Sequence, residues 1–513
     1  MSNSTASHIT LRAAGLALLA IVVRPAVAQQ LPPGPQPMPE LRRGANGEIE
    51  VAPSSSATGA PAAARPTPAP PPAPVATRPL PAARTVPATQ PANPPAAKPE
   101  PKETQTNLAP STPPAEARPA ASEPAPSKTT ATFVAKHYQL SPDKLPPPGT
   151  TKPGDLEPTR VQRGPTDWPV APPEFAVSMF ARNVGDARWL CVAPNGDVFL
   201  ADSGNGKIMM LRDDGTGVAK TITTFAAGFT EPHGMAFHNG FFYVADVNAV
   251  WRIPYRDGDQ TASDAPVRVT KSHDLRPAGE HRAREIAFGR DGALFLAIGA
   301  AEDVSDNDPP PDATIQEIDA KGAMSTFASG LRNAVGLAVD PATGDLWGTV
   351  NERDRLGGDL PPDYLARIGK GDFFGWPYAY VGPHADPVYG SKHPDLVSKT
   401  KVPEILFEPH SAPNAVVFYT GTQYPADYAN NAFVALHASG PYDHPDGYKV
   451  VRVKFANGQA VAGYDDFVTG FMQPGSNPPH VWGTPAGLAI AKDGSLLIAD
   501  ESVVWRVTYK GKR

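Results

Sequence analysis

One cysteine in 513 residues leaves no partner for an intramolecular disulfide and too few thiolates for an iron–sulfur cluster. No Cys-x-x-Cys-His occurs, which excludes a covalently attached haem. The apolar run Ala13 to Val23 is too short to span a bilayer. Nor is there a basic block: the net charge of −6 is spread along the chain, so nothing points to nucleic acid, and a small neutral or polar ligand fits better. Cys191, inside the apolar run Trp189 to Ala193, is expected to be a buried strand residue.

What is present is unevenly distributed. Arg12 precedes the apolar run, and the small-residue pattern Ala26-Val27-Ala28 precedes Gln29, so residues 1–28 read as an export signal and a periplasmic or secreted location is expected. Of 63 prolines, 27 fall between Leu31 and Thr130 in a tract of Ala, Thr and Ser with almost no aromatic side chain. Such a tract cannot bury enough apolar surface to offset its ordering entropy. Residues 29–160 are therefore expected to be a disordered Pro/Ala-rich linker without secondary structure, and 161–513 to form the folded domain.

In that domain one phrase returns: an apolar strand, an Asn-Gly or Asp-Gly turn, a second strand often closed by Ala-Asp, and a third strand. It runs over Cys191 to Leu211, Gly234 to Tyr255, Glu285 to Ala300, Gly336 to Val350, more loosely Ala415 to Phe455, and Gly487 to Tyr509. Each unit is too small to bury its own face, so six copies predict an all-β, six-bladed propeller. Phe175 to Arg182 is placed to supply an outer strand to the last blade. Residues just before each copy's first strand should converge on a central channel: His233, His281, Arg284, Arg332, Asn333, Pro413, Asn414, Thr484 and Pro485.

The densest chemistry lies in Gly330 to Tyr380. Two short strands joined by a turn at Asp340 to Gly344 place Arg332 and Asn333 beside Asn351, Glu352, Arg353, Asp354 and Asp359. A guanidinium, an amide and several carboxyls on one rim form either a binding site or a solvated loop tied by an ion pair.

Gly330-Leu331-Arg332-Asn333, Val350-Asn351-Glu352-Arg353-Asp354, Gly358-Asp359 and Gly375-Trp376-Pro377-Tyr378, in that order, resemble the glucose/sorbosone dehydrogenase family, soluble enzymes that use pyrroloquinoline quinone (PQQ). Leu356 to Asp363 and Gly447 to Arg452 resemble its sorbosone branch. The resemblance implies His281 as catalytic base, with His233 the second choice. It implies Arg332, Asn333, Glu352 and Asp359 as cofactor-binding residues, and the backbone carbonyls of Arg353 and Asp354 as ligands of Ca²⁺. Three positions depart from the family. Ala300 replaces an acid that orients the base in some relatives, leaving Glu302 or Asp303 to substitute. Thr484 replaces an arginine against the cofactor, and His437 lies near the position of a lysine.

The function implied is oxidation of a sugar or sugar-derived aldehyde, with hydride passing to PQQ and then to an external electron acceptor. The alternatives are a Ca²⁺-dependent propeller lactonase recruiting Asn333, Asn351, Glu352 and Asp359, and a noncatalytic binding propeller.

Overall fold

The computed structural model describes residues 41–43, 49–51, 132–152, 157–271, 274–275, 279–308, 310–438, 447–473, 475–476 and 478–511. The export signal and most of the proline-rich arm lie outside them. The chain divides into two units, 1–114 and 115–513. In the first, Leu41–Arg43 pairs antiparallel with Ile49–Val51, where no secondary structure was expected.

Among the described residues of the second unit, six antiparallel sheets of four or five strands follow one another along the sequence. Their lead strands are Ala187–Val192, Met235–His238, Ile286–Phe288, Asn333–Val339, Pro413–Phe418 and Pro485–Ile490. Each lead strand packs beside the next, and the last packs beside the first. The cycle is closed by Phe175–Arg182, which pairs antiparallel with Val503–Tyr509 as expected. Alternating apolar residues fill the spaces between sheets, with Trp347, Trp505, Phe199 and Phe433 almost fully buried. Each large side chain buried this way stabilises by about 1.5–3 kcal/mol. Cys191 sits on the first lead strand, only partly buried.

The expected end of the linker at residue 160 is corrected. His137–Tyr138 adds a fifth strand to the fifth sheet, and Thr159–Arg160 pairs in parallel with His480–Val481. The reason is local: proline gives way after residue 130 to Phe133-Val134-Ala135-Lys136-His137-Tyr138, which has surface to bury. Tyr138 stacks on Tyr464 at 4.9 Å, with the Lys449 ammonium 3.9 Å from its ring centre.

Candidate active site

The recurring Ala-Asp explains how the rim is held. At the end of the second strand, the carboxylates of Asp202, Asp246 and Asp500 accept the backbone N–H of Asp186, Thr230 and Thr484, at 2.8, 3.0 and 2.6 Å. All three are buried. Each clamps the segment that enters its own sheet's lead strand, so rim residues far apart in sequence are fixed relative to one another.

That rim encloses a cavity of ≈ 310 Å³ whose lining includes Arg188, His233, His281, Asn333, Asn414 and His437. At His281, Nδ1 lies 2.7 Å from the Ala300 carbonyl. A carbonyl only accepts, so Nδ1 carries the proton and Nε2 keeps its lone pair. The Ala300 N–H in turn donates to the Arg332 carbonyl at 2.7 Å. The backbone thus orients the base, a task expected of Glu302 or Asp303; Asp303 instead pairs with Arg332. Burial, and then the Arg332 charge, push His281 down to about 4, so the ring is neutral near pH 7. Gly299 makes this approach possible: a Cβ there would lie 2.6 Å from His281 Cβ and 2.7 Å from Asn333 Oδ1.

His233 is set differently. Its ring packs on Trp189 at 4.1 Å, and its Nδ1 lies 3.3 Å from Glu285, deep in the fold. Burial, followed by the Arg188 and Arg284 charges, lowers it to about 3.

The cofactor-binding candidates divide. Asn333 lines the cavity and pairs with Asn351 across the strands. Arg332 points away, donating to the Asp303 carbonyl (2.9 Å), the Asp303 carboxylate (3.0 Å) and the Asn351 carbonyl (3.2 Å). Glu352 is buried, and desolvation raises it to about 8. Asp359 is exposed, its N–H donating to Thr151 Oγ1 at 3.1 Å. The structure therefore does not bring Glu352 or Asp359 to the cavity lining.

Arg188 was missed. It is the second residue of the first lead strand, and the first repeat was read from Cys191, three residues too late to include it. Its Nη1 donates to His437 Nε2 at 3.0 Å, while His437 Nδ1 donates to the Ala438 carbonyl at 3.0 Å. His437 is thus a neutral acceptor. Burial and the adjacent Arg188 charge hold it down at about 3.

These residues fit PQQ. Arg188 offers the carboxylates a guanidinium whose hydrogen-bond partner among the described residues is a neutral imidazole, and the buried Asn333 and Asn351 Oδ1 atoms, without partners there, are left to accept from an N–H or O–H of a ligand. Of the two carbonyls expected to hold calcium, that of Asp354 is already engaged. Arg353 Nε donates to the Asp354 carbonyl at 3.1 Å, and Arg353 Nη1 is paired with buried Asp386 at 2.5 Å.

The resemblance to the Glucose / Sorbosone dehydrogenase family is shown: residues 243–463 match its model. His281, Asn333 and the 351–359 loop lie inside the match, whereas Arg188 and His233 lie outside it. The chain is 25% identical over 361 residues to an uncharacterized protein of Borreliella burgdorferi, covering 66% of this chain and 90% of that one. It also matches the holo PQQ domain of pyranose dehydrogenase from Coprinopsis cinerea, with a TM-score of 0.57, 18% identity and coverage of 68% of this chain and 99% of that one. A family AA12 carbohydrate-active enzyme from Trichoderma reesei matches with a TM-score of 0.56, 19% identity and coverage of 67% and 98%. At these identities the structural matches establish a propeller-like all-β fold.

Proposed function

We propose that this glucose/sorbosone dehydrogenase relative is an exported, PQQ-dependent oxidoreductase acting on a sugar or sugar-derived aldehyde, its six sheets being the blades of a six-bladed propeller. The observation that carries this is His281, whose Nδ1 is tied to Ala300 and whose Nε2 has no hydrogen-bond partner among the described residues, lining with Asn333 a cavity spacious enough for a small ligand. PQQ, when bound, supplies the hydride acceptor. His281 Nε2 takes the substrate hydroxyl proton, and the Nδ1 bond to Ala300 keeps the ring oriented as it does so. Asn333 offers its amide to the developing oxyanion. Arg332 is a positioning residue: it pins Asp303 and the Asn351 carbonyl and holds the Ala300 backbone. No step is assigned to calcium. With one cysteine and no haem motif, the electrons leave to an external acceptor.

Reduction of a redox dye by an aldose or aldehyde should require added PQQ. Equal turnover with and without the quinone, or lactone hydrolysis in its absence, would overturn this reading.

A further inference from the structure

The segment entering the ring, residues 157–163, spans the expected end of the spacer at residue 160 and is stitched to the rim. The Thr159 N–H donates to the Pro479 carbonyl at 2.7 Å, and the Val161 N–H to the Val481 carbonyl at 3.0 Å. Between those bonds, Arg160 is held with Nη1 3.3 Å from Thr484 Oγ1 and 2.7 Å from Glu501. Thr484 directly precedes the sixth lead strand, and that strand packs against the first, where Arg188 lies; a Cβ on Gly487 would sit 2.8 Å from the Arg188 carbonyl. Two guanidiniums, both from the N-terminal part of the domain sequence, thus reach the same side of the ring.

Their surroundings differ. Arg160 is half-exposed and shares Glu501. Arg188 is largely enclosed in the cavity wall, with neutral His437 as its hydrogen-bond partner. The nearby Arg282 is already matched by Glu231 through two bonds of 2.7 Å. A largely enclosed guanidinium whose hydrogen-bond partner among the described residues is an imidazole is a ready partner for a carboxylate, which would accept from it in a fork that imidazole cannot offer. Burial lowers Arg188, the Asp186 carboxylate opposes this, and the Arg160 charge adds to the lowering, which puts Arg160 within electrostatic reach of Arg188.

We infer that Arg188 and Arg160 form a carboxylate-binding site at the cavity rim, the second arginine being delivered by the segment that precedes the ring. Thr484, too short to carry charge, leaves the space that Arg160 enters. This rests on the proposed quinone reading for one source of the carboxylate, PQQ itself; the other source is an acidic sugar such as a uronate.

The test uses the full chain and its Arg188→Gln, Arg188→Lys and Arg160→Gln variants. Binding of PQQ, and separately of pyridine-2,6-dicarboxylate, is followed by calorimetry and by intrinsic tryptophan fluorescence, to which Trp189, packed on the cavity residue His233, contributes. Arg188→Gln should weaken PQQ about tenfold or more and Arg188→Lys less, since an ammonium keeps the charge but loses the fork. Arg160→Gln, at the surface and without risk to the core, should weaken it several-fold. If PQQ affinity is unchanged but KM rises for a uronate and not for a neutral aldose, the carboxylate comes from the substrate. If wild type binds no PQQ, the quinone reading fails, and arginine-dependent dicarboxylate binding still supports the site. Dicarboxylate and PQQ affinities that ignore both arginines, with KM for the uronate unchanged, overturn it, as does wild type binding neither probe.

Discussion

A neutral imidazole tied at Nδ1 to a backbone carbonyl has one lone pair left, and at His281 it is the Nε2 pair at the cavity. His233 also lines that cavity, but its Nδ1 faces Glu285. His281→Ala is therefore expected to lower dye-linked turnover by about 10²-fold or more with PQQ binding still measurable, while His233→Ala retains more activity. The reverse order would reassign the base. Because His281 must be neutral to act and is depressed to about 4, kcat/KM should hold down to mildly acidic pH and fall only as pH drops through that region. His281 and Asn333 were placed at the channel by their nearness to the start of a lead strand, a local property, whereas the role of His281 as base came from the family resemblance. Arg332 was not read correctly: consecutive residues of an extended chain point to opposite sides, so with Asn333 in the cavity its neighbour turns to Asp303. Glu352 and Asp359 belong to a loop whose path depends on Asp363, Asp386 and Thr151, contacts with no sequence periodicity.

At the scale of elements, the Ala-Asp that marked the repeats has a physical task. Asp246 accepts N–H groups from Thr230, Asn248 and Ala249, so Asp246→Ala removes the acceptor of three donors at once, the buried Ala249 N–H among them. A loss on the order of 2–3 kcal/mol is expected, read as a lower denaturation midpoint with an unchanged slope; a loss below about 0.5 kcal/mol would deny the clamp its role. Turn dipeptides and alternation made the strands legible, and the first strand of the first sheet was misplaced because Ala187-Arg188 interrupts its apolar run. The 351–359 loop is the contrasting element. Its Asn351 and Asp354 carbonyls are held by Arg332 and Arg353, guanidiniums where the family resemblance implied a metal. Thorough chelation is expected to leave dye-linked turnover of PQQ-loaded protein largely intact. Loss of activity restored by Ca²⁺ alone would show that these arginines give way to the ion.

For the whole molecule, the ring is not self-sufficient from residue 161. The preceding segment contributes the Tyr138–Tyr464 stack and the Thr159–Arg160 pairing, so a chain starting at residue 132 should melt several degrees above one starting at 161. Equal midpoints would make the segment an ornament. Acid stability tests the interior as a whole. His233, His281 and His437 are held at about 3, 4 and 3, against about 6.5 in an unfolded chain. Below pH 6.5 the unfolded chain takes up protons that the folded one refuses, so the stability these rings contribute is complete above that pH and is lost as pH falls toward 4. Asp363 and Asp500, raised by burial to about 6 and 7, act with the opposite sign: their contribution is present below about 4 and is lost as pH rises through those values. The two sets partly cancel between pH 4 and 7, and the midpoint curve alone does not separate them. His437→Gln does, because the amide can accept from Arg188 without titrating. From pH 7 to pH 4.5 the wild type should lose more stability than this variant, by on the order of 2 kcal/mol, or a few degrees in the midpoint. Parallel losses in the two proteins would mean that His437 takes up its proton in the fold as readily as in the unfolded chain, and that the Arg188 contact is not the neutral hydrogen bond described.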